Sequence, residues 1–99
     1  MSQTCIKIIR ALVCDPSLGT PDVYVRVRAL SGAGTQIGAT QSTLVVESTS
    51  PTWNKLVCFS GPVDHFDVEM WDDDLYPNPD DFMAGGVIKG TISAETRVP

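Results

Sequence analysis

Apolar and polar positions alternate along most of this chain, and the alternation predicts strands. Residues 4–13 (TCIKIIRALV) put Thr4, Ile6 and Ile8 on one side, the period-two pattern of a strand with one buried face. Residues 23–30 (VYVRVRAL) set Val23, Val25 and Val27 against Tyr24, Arg26 and Arg28. Residues 36–47 hold a third strand, clearest at Thr43-Leu44-Val45-Val46. A fourth covers residues 53–60, with Trp53, Val57 and Phe59 as core. The fifth, residues 66–71, reads Phe66-Asp67-Val68-Glu69-Met70 and ends at Trp71, placed to cover the other sheet face. Residues 86–93 (GVIKGTIS) make a sixth, and residues 95–98 leave room for a short further strand. Clusters of Pro, Gly, Asp and Ser separate these runs. No helical period persists for three turns. Short strands with regular turn signals predict an all-β antiparallel Greek-key sandwich. The immunoglobulin pattern of Cys, Trp, Cys does not fit, because Trp53 lies far beyond Cys14 and just before Cys58.

Composition narrows the class. The 99 residues suit one domain spanning residues 1–99. No run of apolar residues is long enough to span a membrane, and MSQTCIKII lacks the layout of a signal peptide. A formal net charge of −5, with seven scattered basic residues, argues against a nucleic-acid partner. Three cysteines form no disulfide framework or metal knuckle. Cys5 and Cys14 lie on one predicted strand, ~30 Å apart at ~3.3 Å per residue, and cannot pair with each other. Reduced thiols in a cytoplasmic protein are the expectation.

The candidate chemistry concentrates in residues 71–85, WDDDLYPNPDDFMAG. Five aspartates fall within ten positions, and Pro77-Asn78-Pro79 forces an irregular loop. Alternation continued past Met70 puts Asp72 and Asp74 on one side and Asp73 on the other. At ~4 Å and an effective dielectric near 20, each close carboxylate pair costs about 4 kcal/mol. Solvation or a cation must offset that, and many hard oxygen ligands suit Ca²⁺ better than Mg²⁺. The loop is not an EF-hand: the sixth position from Asp72 is Pro77 and the twelfth is Met83, where Gly and Glu belong. A site built from more than one loop is expected. Without Asp15, Asp22, Asp72, Asp74 and Asp81, acids and bases would balance at seven each.

Four motifs carry a family resemblance in order along the chain. They are Asp22-Val23-Tyr24-Val25, Ser50-Pro51-Thr52-Trp53-Asn54-Lys55, Met70-Trp71-Asp72-Asp73-Asp74 and Asp80-Asp81-Phe82-Met83. Together they resemble the C2 domain, a calcium- and phospholipid-binding β-sandwich, over about residues 4–93. The resemblance implies that Asp15 and Asp22 of a first loop, and Asp72, Asp74 and Asp81 of a third, are metal ligands for about two or three Ca²⁺. Asp80 is the alternative to Asp81, and Asp73 a solvated neighbour. Leu18, Leu75 and Tyr76, near the loop tips, are the implied membrane contacts. Val23 stands where the family usually has Pro, and Ala84 reads as an insertion before Gly85. The lysine-rich strands of phosphoinositide binders are absent.

The resemblance implies a peripheral module, cytoplasmic and reversibly membrane-associated, that docks on anionic phospholipid when Ca²⁺ binds. The start of the first strand at the chain start resembles the permuted family topology. That topology needs a final strand, which here is short or missing, so a trimmed chain or a partner strand from a homodimer or another protein is expected. The alternative function is a protein–protein interaction module using that open sheet edge, with calcium structural or absent. The lone His65 beside Asp64 reads as a solvated turn, since no nucleophile and cleft accompany it; no enzyme is expected.

Overall fold

A computed structural model describes residues 3–13, 20–74, 79–89 and 94–98. Within them lie β1 (Gln3–Val13), β2 (Asp22–Leu30), β3 (Gln36–Ser42), β4 (Val46–Glu47), β5 (Thr52–Ser60), β6 (His65–Asp72), β7 (Asp81–Lys89) and β8 (Ala94–Val98). Among the described residues no helix occurs. One sheet has the order β5-β1-β8 and the other β3-β2-β6-β7, with β4 also on β2. Every pairing is antiparallel except β1 with β8.

The core lies between the sheets and follows the alternation. Val23, Val25, Val27 and Ala29 of β2 meet Phe66, Val68 and Met70 of β6 on one side, and Ile6, Ile8, Val57 and Phe59 on the other. Each large apolar side chain so buried contributes roughly 1.5–3 kcal/mol. Trp53 is only partly buried, packed against this core. In β1 the buried face changes phase, from Ile6 and Ile8 to Ala11 and Val13. The pairing with β5 slips at the same place, between Ile8 and Arg10. Trp53 and Asn54 there oppose the single residue Ile9, and Asn54 takes φ +49°, a left-handed conformation that Asn tolerates better than most residues.

Three expectations are corrected. The third strand is not clearest at residues 43–46: Thr43, Leu44 and Val45 form a break between β3 and β4, with Leu44 83% exposed. Hydrogen bonds outside the regular ladder hold the break. Thr43 N–H donates to the Val25 carbonyl at 2.9 Å, Val25 N–H to Thr43 Oγ1 at 2.9 Å, and Trp53 Nε1 to the Leu44 carbonyl at 2.7 Å. The last long strand starts at Asp81, five residues before Gly86, because the aspartate side of the loop already pairs with β6. Cysteine is the third case. The antiparallel register sets Cys5 opposite Cys58, Cα–Cα 4.1 Å, and a disulfide joins them. Only long-range pairing brings these two together, which is why reduced thiols were the reading from sequence. Cys14 lies outside the described residues.

Candidate metal centre

Sheet register delivers the carboxylates to one end of the sandwich. Val23 pairs with Asp72 between β2 and β6, and Asp72 pairs with Asp81 between β6 and β7. The start of β2, the end of β6 and the start of β7 therefore coincide. The extra residue before Gly85 is absorbed as a bulge: Met70 pairs with Ala84 and Trp71 with Phe82, leaving Met83 without an opposite. A bulge re-aims the strand end beyond it, here Asp81 and Phe82. Gly85 leaves room for the Phe82 ring, since a Cβ there would lie 3.2 Å from it. That ring stands edge-on to Trp71 at 5.6 Å.

Asp72, Asp74 and Asp81 each offer a carboxylate oxygen, and these oxygens lie within 4.8 Å of one another. The alternation that put Asp72 and Asp74 on one side matches this. Asp73 is exposed. Its N–H donates to the Asp22 carbonyl at 2.8 Å, while Asp22 N–H donates to Asp72 Oδ1 at 3.0 Å. Asp22 thus reaches the group through its main chain, and its carboxylate is not one of the three. Asp15 and Leu18 lie outside the described residues, as do Leu75 and Tyr76.

Asp80 has a different setting from Asp81. Its Oδ1 accepts the Asp74 N–H at 3.1 Å and its Oδ2 accepts the Tyr24 hydroxyl. These two bonds, Tyr24 first, hold its carboxyl below the usual range, against a smaller opposing effect of burial. Tyr24 is buried, and Arg26 Nη2 donates to its hydroxyl at 2.9 Å. The Arg26 guanidinium lies 4.3 Å over the Trp71 ring. Burial, then the bond to Asp80, pushes the Tyr24 hydroxyl up, with Arg26 opposing. Sequence patterning carries no signal for this Tyr24–Asp80 contact, which spans 56 positions.

Asp74 shows the strain of the cluster. Its desolvation is the largest effect raising its carboxyl above the ordinary value, followed by the hydrogen bond and charge of Asp81 and then the charges of Asp72 and Asp80. Asp72 and Asp74, at and just past the end of β6, and Asp81 at the start of β7 make a group of three hard, mutually repelling oxygen donors of a kind that can hold a metal ion. His65, read from sequence as part of a solvated turn, is instead the half-buried first residue of β6, at the end away from the carboxylates, and bonds Asp64 at 2.7 Å.

Comparison with known proteins adds the family. The family model described as "C2 domain" matches residues 2–94. Comparison with curated proteins finds no match.

Proposed function

The chain belongs to the C2 domain family, and from that premise we propose a calcium-binding module that docks on anionic phospholipid through its Asp-rich loops. The observation that supports this most is the convergence of Asp72, Asp74 and Asp81. In this reading the three hold Ca²⁺ with Asp15 and Asp22 of the first loop, and about two or three ions bind. Bound Ca²⁺ supplies positive charge and open coordination sites for lipid phosphate or carboxylate oxygens. Two ions add four charges and take the formal total from −5 to −1, reversing the field at the tip. Leu18, Leu75 and Tyr76 then contact the headgroup layer.

C2 domains are typically binding modules without catalytic machinery, and a non-enzymatic role is part of the proposal. Among the described residues no helix is long and apolar enough to cross a membrane. The proposed site of action is the cytoplasmic face of a membrane. The Cys5–Cys58 bond weighs against that placement, because cytosolic thiols favour the reduced pair.

A second reading, partner-strand pairing, draws support from β8. It covers β1 only from Ile8 to Val13, so residues 3–7 have no described partner on that edge.

Cosedimentation with phosphatidylserine vesicles tests the main reading. Binding in Ca²⁺ and release by chelator are expected, alongside calorimetric uptake of Ca²⁺. Calcium uptake without vesicle binding selects the partner reading, and no calcium uptake refutes the metal site.

A further inference from the structure

We infer that Tyr24 and Asp80 form a brace that positions Asp74 for the cation, with Asp80 outside the ligand set. This inference rests on the calcium reading and deepens it. Both Asp80 oxygens are taken: one accepts the Asp74 N–H at 3.1 Å, the other the Tyr24 hydroxyl. Asp80 is not among the carboxylates whose oxygens gather within 4.8 Å of one another. Asp81 is the exposed neighbour whose oxygen lies with those of Asp72 and Asp74. The adjacent pair therefore divides the work, Asp81 facing the cation and Asp80 facing the sheet.

The brace starts from a rigid point. Tyr24 is 7% exposed, and the β2–β6 ladder sets it opposite Trp71. Arg26 closes the arrangement by donating to the Tyr24 hydroxyl while lying over the Trp71 ring. From there the link runs Tyr24 hydroxyl, Asp80 carboxylate, Asp74 N–H. It ties Asp74, the second residue after β6 and beyond the last ladder pair, back to the sheet. Asp74 has no strand ladder of its own, yet its oxygen must stay close to those of Asp72 and Asp81 against their repulsion. A fixed N–H removes backbone freedom that the cation would otherwise have to order. Partners beyond the ligands commonly matter about 10–100-fold in metal affinity.

The test is calorimetric titration of Ca²⁺ into four proteins: the parent, Tyr24→Phe, Asp80→Asn and the double variant. Tyr24→Phe removes only the hydroxyl. Asn at 80 offers one carbonyl oxygen where the carboxylate offers two, and cannot serve both donors. Each single variant is expected to weaken Ca²⁺ binding about tenfold or more, and the double variant no further, because the two changes cut one link. A purely structural role would lower the apo melting temperature and leave Ca²⁺ affinity unmoved, which overturns the inference. So does Asp80→Asn losing far more than Tyr24→Phe with the losses adding, since that behaviour marks Asp80 as a ligand. A parent that takes up no Ca²⁺ refutes the calcium reading itself and the brace with it; a parent that binds, beside a Tyr24→Phe variant of equal affinity, refutes the brace alone.

Discussion

Asp74 is where residue-scale chemistry is most exposed to test. Its carboxyl is raised chiefly by desolvation and by Asp81, so folding disfavours its charged form. For an acid raised in this way the penalty is absent below the unfolded pKa, about 3.9, and complete once pH exceeds the folded value. Asp80 has the opposite sign: lowered by Tyr24 and the Asp74 N–H, it contributes stability above about pH 3.9 that is lost as pH falls through its depressed folded value. Asp74→Asn should therefore leave the calcium-free protein as stable as the parent or more so at pH 7, with any gain fading towards pH 4. The same change should abolish most Ca²⁺ affinity. Asp73→Asn, on the exposed side, should alter neither much. Melting curves across pH in chelator, with calorimetric titration at pH 7, check this; equal loss of Ca²⁺ affinity at positions 73 and 74 would show the wrong side was chosen. The closeness of Asp72 and Asp74 was legible because the alternation of β6, carried two residues past its end at Asp72, already puts them on one side. The role of Asp80 was not, because its partner Tyr24 comes from another strand and no local pattern encodes that meeting.

At the scale of elements, legibility tracks how local the cause is. β2 and β6 were read to within about a residue, because their alternation is unbroken and both sit inside the sheet. β3, β4 and β7 were misjudged where pairing departs from periodicity. Residues 43–45 look like the best strand by β-branched content, yet Thr43 spends its main-chain and side-chain groups on Val25, and β4 re-forms as two residues beside Asp22 and Val23. β7 begins at Asp81 because a bulge at Met83 lets the run pair across an extra residue. The Cys5–Cys58 link between β1 and β5 depends wholly on register. It spans 53 positions, and closing a loop of that size in the unfolded chain corresponds to about 4 kcal/mol on the chain-entropy model. Reduction, or Cys58→Ser, should then lower the melting temperature by roughly 10 °C or more. Peptide mapping of the non-reduced protein should recover the Cys5–Cys58 pair. Free thiols at both positions in protein isolated without reductant would restore the reduced reading and remove the objection to the proposed cytoplasmic placement.

The whole molecule measures 43 × 28 × 20 Å, and its two points of interest lie at opposite ends. The carboxylate group sits where β2 begins and β6 ends; residues 3–7 of β1, which have no partner on the β8 side among the described residues, lie towards the other end, since β1 runs towards the end of the sandwich where β2 begins. An open edge offers unpaired N–H and C=O groups to another strand, and a second copy presents the same edge. Antiparallel pairing about Cys5 would set Lys7 opposite Gln3, avoiding a like-charge pair, and leave Cys5 facing its own copy. It would also point the two acidic tips in opposite directions, separated by far more than the screening length of about 8 Å at physiological salt, so tip repulsion does not oppose association. A twofold contact of this kind is self-complementary. It is also short, about five residues, which argues for weak affinity. Analytical ultracentrifugation should show a monomer at low micromolar concentration and a dimer at hundreds of micromolar, little changed by Ca²⁺ because the cation binds away from the edge. A single monomeric species across that range would mean that the edge is closed within one chain. A dimer that forms only with Ca²⁺ would place the contact at the tips and refute pairing through β1.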